Sequence, residues 1–164
     1  MPIILSRHGR YDERDNVSPE EARRVGWIVR DMAWAQGINL KVAEIITSDT
    51  PRTKQTARGI AEVNGIKIPQ EGFPFDTRIF EGYPGYGDWQ VSPEIRWAMI
   101  LVREKIHQLW PDKPLIIVGH LPSFWGIWSQ LEPENFPPYA TENDSDIGEL
   151  IPYGSVAIFP SPKV

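Results

Sequence analysis

Apolar positions fall along this chain in two patterns. Short unbroken runs, Ile3-Ile4-Leu5 and Leu115-Ile116-Ile117-Val118, read as buried strands. Val42 to Ser48 and Ser155 to Phe159 read as two more strands. The intervening segments carry helix signals. Ser18-Pro19-Glu20-Glu21 supplies an N-cap serine, a proline at the first position and a capping-box glutamate, predicting a helix to about Ala35 that stops at Gly37. Asp49 or Thr50 caps a second helix, with Pro51 in its first turn and its end near Gly65. Ser92-Pro93-Glu94 starts a third. In it Ile95, Met99, Val102, Ile106 and Leu109 recur at spacings of four, three, four and three, one apolar stripe with His107 on the polar face. Pro122-Ser123 opens a fourth through about Leu131.

Residues 66–91, rich in glycine, proline and aromatics, read mainly as loop, with Phe75 to Phe80 as a candidate edge strand. Residues 132–146 are proline-rich and acidic and read as an irregular surface excursion. Trp27 and Trp34, in the first helix, are expected in core or rim packing. Strands alternating with helices predict an α/β fold, a three-layer α/β/α sandwich with a mostly parallel central sheet. At 164 residues the whole of 1–164 is expected to form one domain.

Composition narrows the function classes. A net charge of -5 argues against nucleic acid or an anionic membrane as main partner, and requires any anion site to be built from local cations. The absence of cysteine excludes disulfides and thiolate metal sites. No basic flank followed by an apolar segment opens the chain and no apolar run approaches spanning length, so the expectation is a cytoplasmic protein with no membrane partner.

The chemistry-bearing residues stand at strand ends. Arg7 and His8 follow the first strand, with Gly9 expected to let the backbone turn sharply. Arg52 lies in the first turn of the helix after the second strand. A helix N-terminus already favours anions, so an arginine there is poor dipole chemistry unless an anion binds. His120 follows the Leu115–Val118 strand. Parallel strands share one carboxyl edge, so these four groups should converge into a pocket for an anion, most simply a tetrahedral phosphate. Arg10 and Arg14, read alone, are solvated loop charges.

Arg7-His8-Gly9, the segment Ser48-Asp49-Thr50-Pro51-Arg52-Thr53-Lys54-Gln55-Thr56-Ala57, Val118-Gly119-His120 and Pro152-Tyr153-Gly154-Ser155-Val156 together resemble the motifs of the histidine phosphatase superfamily, the phosphoglycerate mutase-like enzymes. The short length and Gly119-His120-Leu121-Pro122 resemble its compact bacterial phosphohistidine phosphatases. The resemblance implies that His8 attacks phosphorus, that Arg7 and Arg52 clamp the phosphoryl oxygens, and that His120 stabilises the transferring group, with no metal or cofactor. It implies a phosphatase acting on a phosphorylated small molecule or a phosphoprotein. The alternatives are a mutase-type phosphoryl transferase and a noncatalytic phosphate-binding module. Aligned on Tyr86-Gly87-Asp88-Trp89, the family's general-acid position falls on Tyr83. Glu81, two residues earlier, is the candidate acid, with Asp88 as the other carboxyl. Arg14 stands where the family often carries a phosphate-holding asparagine, which makes it a phosphate-binding candidate.

Overall fold

The computed structural model describes residues 1–79, 93–109, 113–132, 134 and 151–160, without the side chains of 93–96 and 125. In chain order the elements are β1 (Ile3–Arg7), α1 (Pro19–Ala35), a 3₁₀ turn (Leu40–Val42), β2 (Glu44–Thr47), α2 (Pro51–Asn64), α3 (Pro93–Leu109), β3 (Leu115–Gly119), α4 (Leu121–Leu131) and β4 (Val156–Phe159). Among the described residues the strands form one sheet in the order β2-β3-β1-β4. β2 and β1 each pair in parallel with β3, and β4 closes the edge antiparallel to β1. The register places Arg7 beside Gly119 and Thr47 beside Val118, so three strands reach their carboxyl ends at one level.

Successive strand residues point to opposite faces. Ile3, Leu5, Leu115, Ile117 and Phe159 face one core with Leu101, Val102, Phe124 and Ile127 of α3 and α4. Ile4, Ile45, Ile116 and Val118 face the other with Val25, Val29, Ala57 and Ile60 of α1 and α2. The result is the expected three-layer sandwich, with a sheet that is parallel except at β4. Helices α1 and α2 cross very closely: a Cβ on Gly59 would lie 2.3 Å from the Ala22 backbone, and one on Gly26 2.7 Å from the Gly59 carbonyl. No helix among the described residues is long and apolar enough to cross a membrane.

The starts of α1 and α2 are those the sequence signals, while α4 begins at Leu121, one residue before Pro122. Ser18 Oγ accepts from Glu21 N and Thr50, rather than Asp49, caps α2 by accepting from Thr53 N. Gly65 ends α2 at φ 64. In α3 the stripe includes Met99, Val102 and Leu109, widened by the buried Ala98 and Leu101, and His107 is exposed; the Ile95 side chain lies outside the described residues. Three expectations need correction. β2 begins at Glu44, because Leu40–Val42 coil into the 3₁₀ turn capped by Asn39. The stretch from Phe75 makes one bridge, to Thr47, and then turns: Asp76 accepts from Arg78 N and from its guanidinium, and Ile79 N donates to the Asp76 carbonyl; Phe80 lies outside the described residues. Trp34 is 83% exposed and Trp27 50%, because the buried face of α1 is Ala22, Val25, Gly26, Val29 and Ala33, and both indoles project away from it.

Candidate active site

Four sequence-predicted residues meet at the carboxyl edge of the sheet: Arg7 at the end of β1, His8 just beyond it, Arg52 in the first turn of α2 and His120 between β3 and α4. All are buried, at 2 to 8% exposure. Their backbone is pinned before their side chains are. His8 N donates to the Gly119 carbonyl at 3.0 Å, and Gly154 N donates to the His8 carbonyl at 3.0 Å. Gly9 N donates to Thr56 Oγ1 at 3.0 Å. Gly9 is not among the positive-φ glycines; the requirement there is room, since a Cβ would lie 2.8 Å from Glu21 Cγ. Gly154 is held at φ 79 and is the position where the left-handed conformation does favour glycine.

Partners settle which ring nitrogen of each histidine is protonated. His8 Nδ1 lies 2.8 Å from the Gly9 carbonyl, an obligate acceptor, so Nδ1 carries the proton and Nε2 the lone pair. Arg52 Nε donates to that Nε2 at 3.3 Å. Burial above all, then the charges of Arg52 and Arg7, lower the His8 pKa to about 4 in spite of the Gly9 contact, so the ring is neutral at pH 7. His120 has the opposite tautomer. Arg52 Nη2 donates to its Nδ1 at 3.5 Å, leaving Nε2–H to donate to Ser48 Oγ at 2.7 Å. Burial, followed by His8, Arg52 and Arg7, lowers its pKa to about 3. The two rings stand edge to face, 5.2 Å apart.

The arginines are braced as well. Arg7 Nη1 donates to the Ile151 carbonyl at 2.5 Å and its guanidinium lies 4.0 Å from the Tyr153 ring centroid. Arg52 lies 4.7 Å from that of Tyr11. Both tyrosines pack against His8, at 5.3 and 5.5 Å between ring centroids, and form the half-exposed rim above it. The arrangement is a neutral imidazole with an unprotonated Nε2, beside two fixed cations and a second imidazole. That set can hold a tetrahedral anion and attack its central atom.

Arg14 is exposed on the loop after His8, where its N–H donates to Asp12 Oδ1; its neighbour Asp15 is the residue that reaches the site and pairs with Arg52 Nη1. Glu81 and Asp88 lie outside the described residues. The sequence reading did not single out Asp15, Tyr11, Tyr153, Ser48 or Thr56 as site residues. Ser48, Thr56 and Tyr153 did carry a signal, as members of the motif segments 48–57 and 152–156, whereas Tyr11 and Asp15 carried none. Among the described residues no group of three or more His, Cys, Asp or Glu side chains is placed to hold a metal ion. A separate groove of about 850 Å³ between residues 10–19 and helices α1 and α2 contains neither histidine.

No protein-family model matches the sequence, and no curated protein matches it. Solved structures do match. The chain is similar to a mycobacterial glucosyl-3-phosphoglycerate phosphatase, with 17% identity and a TM-score of 0.56 over 82% of this chain and 81% of that one. It is similar to the proposed phosphohistidine phosphatase SixA of Agrobacterium tumefaciens, with 13% identity and a TM-score of 0.57 over 96% and 88%. The phosphoglycerate mutase of Plasmodium falciparum aligns with 19% identity and a TM-score of 0.51 over 85% and 72%. At these identities the likeness is one of fold.

Proposed function

We propose that this chain, which has the phosphoglycerate mutase-like fold of the histidine phosphatase superfamily, is a phosphatase that works through a phosphoryl group carried on His8. The observation that supports this most is the His8 ring itself: Nδ1–H tied to the Gly9 carbonyl, Nε2 turned to Arg52, and a pKa of about 4 that keeps the lone pair unprotonated. In the first step Nε2 attacks phosphorus, the bond to the leaving group breaks with its electron pair, and the leaving group takes a proton. In the second, water attacks the phosphohistidine, the P–N bond breaks with its electron pair left on Nε2, inorganic phosphate is released and His8 is regenerated. Arg7 and Arg52 hold the phosphoryl oxygens. His120, kept neutral at rest by burial and positive neighbours, gains a proton when a dianion offsets those charges, and then donates from Nδ1 to the phosphoryl group. Charge is met by guanidinium and imidazole, so the scheme uses no metal.

The substrate is a phosphomonoester or a phosphohistidine, the classes named for the mycobacterial and Agrobacterium neighbours. Glu81 is assigned from the sequence as the proton donor to an alkoxide, with Asp88 as the other carboxyl in reach of the motif. Rapid quenching with labelled substrate is expected to trap an acid-labile, base-stable phosphoryl group on the protein. Retention of the label or of turnover in His8→Ala would remove His8 as the nucleophile.

A further inference from the structure

The loop that follows the nucleophile brings a carboxylate to the place where an anion should bind. Arg52 donates from Nε to His8 and from Nη2 to His120, and its Nη1 is paired with Asp15 Oδ1. Carboxylate and phosphate present a guanidinium with the same kind of oxygen edge, so the two compete for one donor. We propose that Asp15 is an exchange ligand of the phosphate clamp: it holds Arg52 in the resting site, yields Nη1 to the incoming phosphoryl group, and retakes it as product phosphate leaves. The clamp belongs to the function proposed above, and the product-release step rests on that reading.

The meeting of Asp15 with Arg52 is built in from both sides. Asp15 has φ 65 and is the one non-glycine residue with positive φ among those described, a conformation that aspartate and asparagine tolerate better than other side chains. The turn is closed on itself: Asp12 N donates to the Asn16 carbonyl, Asp15 N to the Asp12 carbonyl, and Asp12 Oδ1 accepts from both Arg14 N and Asn16 N. It is then fastened to α2 by Gln55, whose Nε2 donates to Asn16 Oδ1 at 2.8 Å and whose Oε1 accepts from Val17 N at 2.6 Å. Gln55 lies three residues after Arg52 on the same helix. The loop that carries the carboxylate and the helix that carries the guanidinium are thus fixed to one another. Asp15 keeps 31% of its side chain exposed against 9% for Arg52, so the carboxylate is the partner with somewhere to go.

The charge argument sets the sign of the effect. In this exchange a phosphate dianion displaces Asp15 from Nη1 and then sits near its negative charge; both weaken anion binding. A residue that merely steadied Arg52 would have the opposite effect on removal. The test is titration calorimetry of the full chain with vanadate and with inorganic phosphate, wild type against Asp15→Asn, with a thermal melt of each. Asparagine accepts the backbone conformation and keeps an oxygen for Arg52 while removing the charge. Asp15→Gly, which also accepts φ 65, serves if the first variant fails to fold. At least tenfold tighter binding of both anions, with product inhibition stronger in proportion, is the expected result. Unchanged or weaker binding in a variant that melts like the wild type overturns the exchange role and leaves Asp15 as a brace. Anion binding needs no turnover. A protein inert toward every phosphoester that still shows the tightening would sink the phosphatase reading and not this one.

Discussion

The floor and the rim of the site are built by different rules. The floor, Arg7, His8, Arg52 and His120 with Ser48 beneath them, is at most 8% exposed, and its residues stand at strand ends or in the first turn of a helix. Its hydrogen bonds run among its own residues and to nearby backbone and hydroxyl groups: Gly9 fixes His8, Ser48 fixes His120, and Ser48 is fixed in turn by Thr53 at 2.9 Å. The rim, Tyr11, Asp15 and Tyr153, comes from loops, with the tyrosines 43% and 36% exposed, and touches the floor mainly through ring faces and one ion pair. Buried polar groups that lose a partner cost far more than exposed ones. The contrast implies that the floor carries most of the anion binding and the proposed chemistry, and that the rim adjusts the binding by a smaller amount.

The largest expected effect tests the burial of the floor histidines. Their folded pKa values, about 4 for His8 and about 3 for His120, lie below the 6.5 of an unfolded chain. Between pH 6.5 and 4 the unfolded state therefore binds more protons. This stability is fully present above pH 6.5 and is lost as the pH falls towards 4. For His8 the gap is worth roughly 3 kcal/mol, at about 1.4 kcal/mol per pH unit. Chemical denaturation at pH 7, 5.5 and 4 should show the slope, reduced in His8→Asn and untouched in Tyr153→Leu. An equal slope in the His8 variant would mean that the ring is not held neutral.

Next in size is the leaving-group proton. Glu81→Gln should slow hydrolysis of alkyl phosphates roughly a hundredfold and affect aryl phosphates or phosphoramidates much less, because those leaving groups need no acid. Equal, small losses on both classes would move the role to Asp88 or to no protein acid. For the clamp, Arg52→Ala should weaken vanadate binding by about 2 kcal/mol, close to thirtyfold, measured by calorimetry. The smallest effect belongs to the rim. Tyr153→Leu removes the ring beneath Arg7 and should cost about 0.5–1 kcal/mol in the same titration. A loss there as large as that of Arg52→Ala would erase the distinction between floor and rim.

How much of this was legible in advance follows the range of the interactions involved. Ser18-Pro19, Thr50-Pro51 and the apolar runs of β1 and β3 determine their elements locally, since caps and periodicity act within a few residues. With the strands recognised as parallel, the convergence of Arg7, His8, Arg52 and His120 followed from a shared sheet edge. What tertiary structure alone decided is how those groups are partnered. Ser48 meets His120 across 72 positions, Tyr153 comes under Arg7 because β4 returns antiparallel beside β1, and Asp15 reaches Arg52 because Gln55 ties its turn to α2. Trp34 was misread for the same reason, since a helix pattern marks an apolar side chain without saying whether another element covers it, and in α1 the close crossing with α2 runs along Ala22, Gly26 and Gly59 instead. Local propensity selects the elements, while the protonation, charge balance and access of a buried site depend on groups far apart in the chain, which meet only when the layers pack.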